Sequence, residues 1–363
     1  MKPLFHLLFI ALCALVSNRA LAQAPKYSNE FLQIGVGARA LGMSGSQVAS
    51  VNDVTSGYWN PAGLSGVSTT PQLALMHAEY FAGIAKYDYG ALAKRIDSNS
   101  IVALSVVRFG VDNIPNTTEL IDANGNIDYN RISSFSAADY AFMGSYARTL
   151  KIPGLTVGGT AKVVRRVIGK FANSWGFGID AGVQYKRKQW QFGVTARDIT
   201  TTFNAWNITL DEKTIEAFKR TGNEIPTNSG EITLPRFLLG AARNIKLHKN
   251  FNLLAEVNAD ITTDGKRNVP IKTNGISIDP HAGLELNVYN LVYIRAGAGN
   301  ITQQKDILQR SITTFQPNVG LGLKFRSICI DYAFTDIGNS STAIYSNVFS
   351  LKFDINKTRK KQG

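Results

Sequence analysis

The sequence predicts an all-β fold, a transmembrane antiparallel barrel of about 14 strands, and three observations predict it. Apolar and polar residues alternate with period two from residue 71 onward. The connections between the alternating runs are short and long in turn, and an export signal stands at the N-terminus.

The export signal comes first in the chain. Lys2 is a short positive region, residues 4–16 are an apolar stretch, and Ala20-Leu21-Ala22 is a small-x-small cleavage site before Gln23. The apolar stretch is too short to serve comfortably as a membrane anchor. Cys13 lies inside it behind Leu12, where a lipoprotein signal places a small residue. Removing residues 1–22 takes Lys2 and Arg19 from the 39 basic residues and leaves 26 acidic ones, a mature charge of +11. It also leaves Cys329 as the one cysteine, so an intrachain disulfide and a Cys-based metal site are both excluded. The positives are scattered singly at strand ends, which argues against a nucleic-acid partner.

The alternation is regular. Residues 177–185 put Phe177, Ile179, Ala181, Val183 and Tyr185 on one face and Gly178, Asp180, Gly182 and Gln184 on the other. Residues 190–197, 253–261, 282–288 and 319–326 repeat the pattern, with Leu254 as an exception. Fourteen strands follow, near 71–81, 84–95, 100–110, 136–150, 154–167, 173–187, 189–199, 231–244, 251–263, 276–288, 291–301, 312–326, 328–337 and 345–354. Every second connection is tight (96–99, 151–153, 188, 245–250, 289–290, 327). Most of the others are long (111–135, 200–230, 262–275, 302–311, 337–344). Sorting of loop length by parity is the pattern of an outer-membrane barrel, with the short side periplasmic. Positives such as Lys94, Lys151, Lys186, Lys188 and Lys324 flank the tight turns, with Trp190, Tyr289 and Tyr293 near them, as expected where a barrel meets lipid headgroups.

A membrane sheet cannot leave an open edge, so the strands must close. A fourteen-stranded ring is too wide for its own side chains to fill. Residues 23–70 do not alternate and are rich in small residues, which suits a plug. Residues 44–51 could form a short helix, and Pro61 biases Asn60 toward an extended conformation. Arg39 inside the lumen needs a carboxylate partner, such as Asp53 or an acid of the wall. The chain thus divides into a signal peptide (1–22), an N-terminal hatch or plug (23–70), the barrel (71–355) and a basic tail (356–363), which is a solvated end or a binder of anionic headgroups.

Two stretches of the plug carry a resemblance: Phe31-Leu32-Gln33-Ile34-Gly35-Val36-Gly37-Ala38-Arg39-Ala40-Leu41-Gly42-Met43, and Trp59-Asn60-Pro61-Ala62-Gly63-Leu64, with Asp53 between them. Over about 35 residues this resembles the N-terminal signature of the PorV/PorQ family of outer-membrane proteins. That family is similar to the FadL-type fatty-acid channels, so the resemblance implies a fourteen-stranded barrel whose hatch contains an Asn-Pro-Ala motif. It further implies a non-enzymatic component or accessory of type IX protein secretion and surface attachment. The implied partners are outer-membrane lipids, secretion components and secreted cargo, met through extracellular loops.

The loop 200–230 holds a helix, with Thr209-x-x-Glu212 as a capping box and Gly222 past its end. Trp206, Ile215 and Phe218 are its candidate docking residues; the alternative is a lid over the barrel mouth. For catalysis only His77, His248 and His281 remain, each isolated, and no nucleophile or metal-binding motif occurs, so no enzyme activity, cofactor or metal is expected. A channel for hydrophobic small molecules is the competing function. Inward-facing Asp180, Glu256, Asp260, Glu285, Arg295 and Lys324 line such a path poorly.

Overall fold

The computed structural model describes residues 28–121, 125–305, 309–335 and 346–355. The expected signal peptide and basic tail lie outside these residues.

Period-two alternation becomes a single antiparallel sheet that closes on itself. Its first members are β1 (Gln72–Tyr80), β2 (Ala85–Arg95), β3 (Ser100–Asn116), β4 (Ser133–Thr149), β5 (Leu155–Ile168) and β6 (Ala172–Arg187). The seventh stave is β7 (Trp190–Arg197) continued by β8 (Thr202–Ile208), and the eighth is β9 (Ser229–Thr233) continued by β10 (Arg236–His248). β11 (Phe251–Thr262) is followed by a two-residue strand, β12 (Ile271–Lys272), which belongs to a loop. β13 (Ser277–Val288), β14 (Val292–Lys305), β15 (Ser311–Phe325), β16 (Ile328–Thr335) and β17 (Ser346–Asp354) complete the wall. β1 pairs with both β2 and β17, from Gln72 opposite Asp354 to Glu79 opposite Asn347, so no edge is left along the seam. Counting each interrupted stave once and setting β12 aside, the 17 strands make the fourteen staves expected.

The outer surface is an apolar belt. Leu104, Phe177, Phe325 and Val257 point outward and are 59–70% exposed. So wide an apolar surface on a closed ring is the exterior of a barrel in hydrocarbon. The belt ends on β1 to β3 beside the turn 81–84. There His77, Glu79, Asp88 and Arg108 face outward, His77 lying 2.7 Å and Arg108 3.3 Å from Asp88.

Strand boundaries differ from expectation at three long connections, one of them 302–311, where β14 runs on to Lys305 in pairing with β15. β3 and β4 pair past residue 111, because a register shift around Asn113 (φ 57°) lets pairing resume at Ile114 opposite Phe135. The stretch 200–230 is also not all loop. Pairing breaks at Asp198 and Thr201, both at positive φ, then resumes from Phe203 opposite Phe177. Three inserted residues displace the alternation, so period-two reading stops at the break although the strand does not.

Residues 28–70 lie inside the ring. A 3-10 turn (Glu30–Gln33), two single-turn helices (Ala38–Leu41, Ser56–Trp59) and a second 3-10 turn (Pro61–Gly66) are joined by close bends. Residues 44–51 form turns and not the expected helix, since Ser44 (φ 53°) and Gly45 (φ 75°) reverse the chain. The segment packs backbone against backbone on inward glycines of the wall. A Cβ on Gly193 would stand 2.3 Å from the carbonyl oxygen of Val48, and one on Gly297 2.3 Å from the carbonyl carbon of Met43. Gly158 and Gly283 meet the backbone of Pro61 and Met43 in the same way, and Gly182 makes room for the Asn60 side chain. The inward glycines are therefore seats for this segment and not spacers in an open lumen.

Candidate functional site

The residues quoted for the hatch motif fall into three anchors. Asn60, fully buried and extended (φ −153°), is held by its amide. Its Nδ2 donates to the carbonyls of Val48 (3.0 Å) and Val183 (3.1 Å), and its Oδ1 accepts from the N–H of Ala62 (3.2 Å). Pro61 then starts a 3-10 turn with no N–H to leave unpaired. Gly63 sits where a Cβ would lie 2.4 Å from the carbonyl oxygen of Val51. Trp59 donates from Nε1 to the carbonyl of Val36 (2.9 Å), while the wall's Thr195 donates to the carbonyl of Trp59 (3.2 Å).

The second anchor is Ile34 to Met43. Gly35 (φ 98°) turns the chain against the Trp59 ring, and Ile34 stays half-buried beside the core. The N–H of Gly37 points to the Met76 sulfur (2.9 Å), and that of Ala38 donates to Ser350 (2.7 Å). Gly42 lies against the backbone of Gly320, and Met43 is fully buried.

The third anchor is ionic. Arg39 makes a bidentate pair with Glu285 (2.8 and 3.0 Å). Of the two partners expected for it, the structure has the acid of the wall. Glu285 also accepts from Arg295 (2.7 Å), which reaches Asp331 (2.7 Å). Asp53 instead pairs with Lys352 (2.8 Å). Elsewhere in the lumen, buried Lys162 bridges Asp180 and Asp198, at 2.7 Å each. Arg197 lies over the rings of Tyr58 (4.5 Å) and Trp59 (5.6 Å), and Arg236 pairs with Asp260. The six expected inward charges thus all face the lumen; ion pairing within it accounts for five of them, and Glu256 instead accepts from the N–H of Ala49 (2.7 Å).

The inner segment leaves two polar vestibules. One, about 580 Å³, lies on the long-loop side among Arg236, Asp279, His281 and Asn318; the other, about 480 Å³, lies on the short-turn side. An apolar cavity of about 530 Å³ sits at the long-loop end, lined by Phe135, Ile168, Phe171, Trp206, Ile208 and Phe218. The helix Glu212–Thr221 packs beside it, burying Thr214 and Ala217. Trp206 and Phe218 therefore share one cavity, while Ile215 is half-buried outside that lining. The helix cap differs from the expected Thr209 box. Asp211 is the N-cap, accepting from the N–H of Thr214 (2.9 Å), and it removes the need for Thr209. Gly222 (φ 69°) ends the helix as expected. The cavity was missed in the sequence because Phe135 of β4, Phe171 of the β5–β6 turn and Trp206 of β8 meet only through the register of neighbouring strands.

Among the described residues, no group of three or more His, Cys, Asp or Glu is placed to hold a metal ion.

Solved structures share this architecture from end to end. The toluene transporter TbuX of Ralstonia pickettii superposes with a TM-score of 0.53 at 11% identity, over 89% of this chain and 99% of its own. A FadL homologue of Pseudomonas aeruginosa gives 0.50 at 12%, over 88% and 98%. The toluene transporter TodX of Pseudomonas putida gives 0.51 at 13%, over 88% and 96%. The fold is the FadL-type barrel. No family model matches the chain, and no curated protein matches it significantly. Of the resemblance drawn from residues 31–64, the FadL-type architecture is therefore what the comparisons carry, and they add nothing for the PorV/PorQ family or type IX secretion.

Proposed function

We propose that the chain is an outer-membrane channel that admits hydrophobic small molecules, with the cavity between Phe135, Phe171, Trp206 and Phe218 as its entry site. The observation that carries this is the cavity itself, walled by aromatic side chains at the long-loop end of a FadL-type barrel. An apolar concave site of this size with few polar groups suits a small hydrocarbon. Two of the structures sharing the fold, TbuX and TodX, are toluene transporters, so a monoaromatic hydrocarbon is the first ligand to try. Residues 28–70 act as the hatch. Below the cavity the path is polar, where Arg166 pairs with Glu231 (3.2 Å) and Glu231 accepts from Ser28 (3.2 Å).

Toluene titration should change the fluorescence of Trp206 saturably. Trp206→Phe should remove that signal while Trp175→Phe leaves it, and Phe218→Asp should weaken binding about ten-fold or more by placing a charge in the cavity. Absence of saturable binding by toluene and by a fatty acid alike would end this reading.

A second reading has support of its own: an accessory of type IX secretion that works through its loops and passes nothing. The resemblance of residues 31–64 to the PorV/PorQ signature favours it, as do the ion pairs that pin the inner segment. Tyr129 (73% exposed) and Ile127 (59%) offer apolar contacts on a loop for cargo. Purification from native membranes distinguishes the two, since recovered secretion components or cargo support the accessory and recovered lipid or hydrocarbon supports the channel.

A further inference from the structure

The vestibule on the short-turn side has a charge excess that its own pairings do not cancel. Its cations are Arg39, Lys186, Lys188, Arg295, Lys324 and Lys352, against the carboxylates Asp53, Glu285, Asp331 and Asp354. Each carboxylate is already engaged. Glu285 is held by Arg39 and Arg295, Asp331 by Arg295, and Asp53 by Lys352. Asp354 accepts from Gln72 (2.6 Å) and lies 3.9 Å from Lys324. That leaves Lys186 and Lys188, neither of which has a carboxylate within 4 Å among the described residues. Lys186 is half-buried in the wall and Lys188 stands at the turn, at φ 54°.

Two ammonium groups at one mouth without counter-charge, one half-buried in the wall and the other exposed at the turn, attract an anion more strongly than a lone surface charge. Neutral side-chain amides, Gln191 and Asn244 among them, line the same cavity and can donate to a ligand's oxygens. The cavity's volume, about 480 Å³, suits a small solute and its waters and excludes a folded partner. We propose that this vestibule binds a phosphate group, carried by inorganic phosphate or a small phosphate monoester, with Lys186 and Lys188 as its charge partners. Lysine presents a compact point charge with three rotatable donors, which matches a phosphate without demanding a fixed fork. The site faces the lumen on the side of the hatch away from the apolar cavity, and it does not rest on the channel reading.

The experiment is titration calorimetry on the full-length barrel in neutral detergent at low salt. The probes are inorganic phosphate, glycerol 3-phosphate and, separately, micelles of short-chain phosphatidic acid. Saturable binding of the soluble phosphates is expected. Lys186→Met with Lys188→Met should weaken it about ten-fold or more, Lys186→Arg with Lys188→Arg should retain it, and Lys249→Met on a different turn should leave it unchanged. Should the double methionine variant fail to give a heat-modifiable barrel, Lys188→Met alone carries the comparison, with about a three-fold loss expected. No saturable binding of either soluble phosphate overturns the proposal, as does equal binding by the methionine variants. Binding of phosphatidic acid micelles alone overturns it too, because it places the interaction on the lipid-facing rim.

Discussion

At Gly193, a Cβ would stand 2.3 Å from the carbonyl oxygen of Val48, a backbone atom that cannot swing aside. Gly193→Val should therefore destabilise the barrel by roughly 1–3 kcal/mol, read as a lower temperature for loss of heat-modifiable migration. Gly90→Ala is the matched control, since a Cβ there meets only side-chain atoms at 3.7 Å and stability should hold. Arg39 behaves differently. Arg39→Met leaves Glu285 with Arg295 as its one cationic partner, so the loss should lie at or below the low end of the ~3–5 kcal/mol seen when one member of a buried pair is removed. Adding Glu285→Gln to Arg39→Met should recover part of that loss, measured by the same melting assay. If the double variant is less stable than Arg39→Met by the full cost of Glu285→Gln alone, the pair is not coupled.

The loop helix Glu212–Thr221 is the element whose stability ties directly to the apolar cavity. Hydrogen bonds from Lys170 (2.5 Å) and from Thr214 hold the Asp211 carboxyl below the usual carboxylate range. Because the folded value lies below the unfolded one near ~3.9, this contribution is present above that pH and is lost as pH falls toward the folded value. Helix packing, followed through Trp206 fluorescence, should therefore persist at mildly acidic pH and fail only in stronger acid. Asp211→Ala should disorder the helix already at neutral pH, while Asp211→Asn should keep the cap and lose the Lys170 contact. A helix equally ordered in Asp211→Ala would show that packing alone holds it. This element also shows where sequence reading stops. Gly222 and the helix itself were legible, because αL glycines and apolar spacing are local signals. Asp211 was passed over because Thr209 and Asp211 are both acceptable caps in sequence, and the Lys170 contact that favours Asp211 is 41 residues distant. β8 was read as loop because the three residues inserted between β7 and β8 shift the alternation by an odd number.

For the molecule as a whole, fourteen staves, the sorting of turn lengths and the inward charges were all visible, since a strand with one lipid face carries its orientation in every second residue. The inner segment's path was not, because its contacts with Gly158, Gly193 and Gly297 are backbone contacts that leave only the smallness of a residue in the sequence. The closed ring predicts protease cleavage in the 209–228 loop of the folded protein, with the turns at 188–189 and 289–291 spared. Cleavage at both sets, or no change in migration on boiling, contradicts a closed barrel. Closure also constrains how the protein can be made. A cylinder whose inner wall touches its contents along several strands gives no clearance through which that content could be threaded afterwards. The expected order is that the inner segment takes its position before the seam between β1 and β17 is joined, as a mandrel on which the wall is wound. A chain lacking residues 23–70 should therefore refold into detergent more slowly, with open, unjoined seams accumulating on the way.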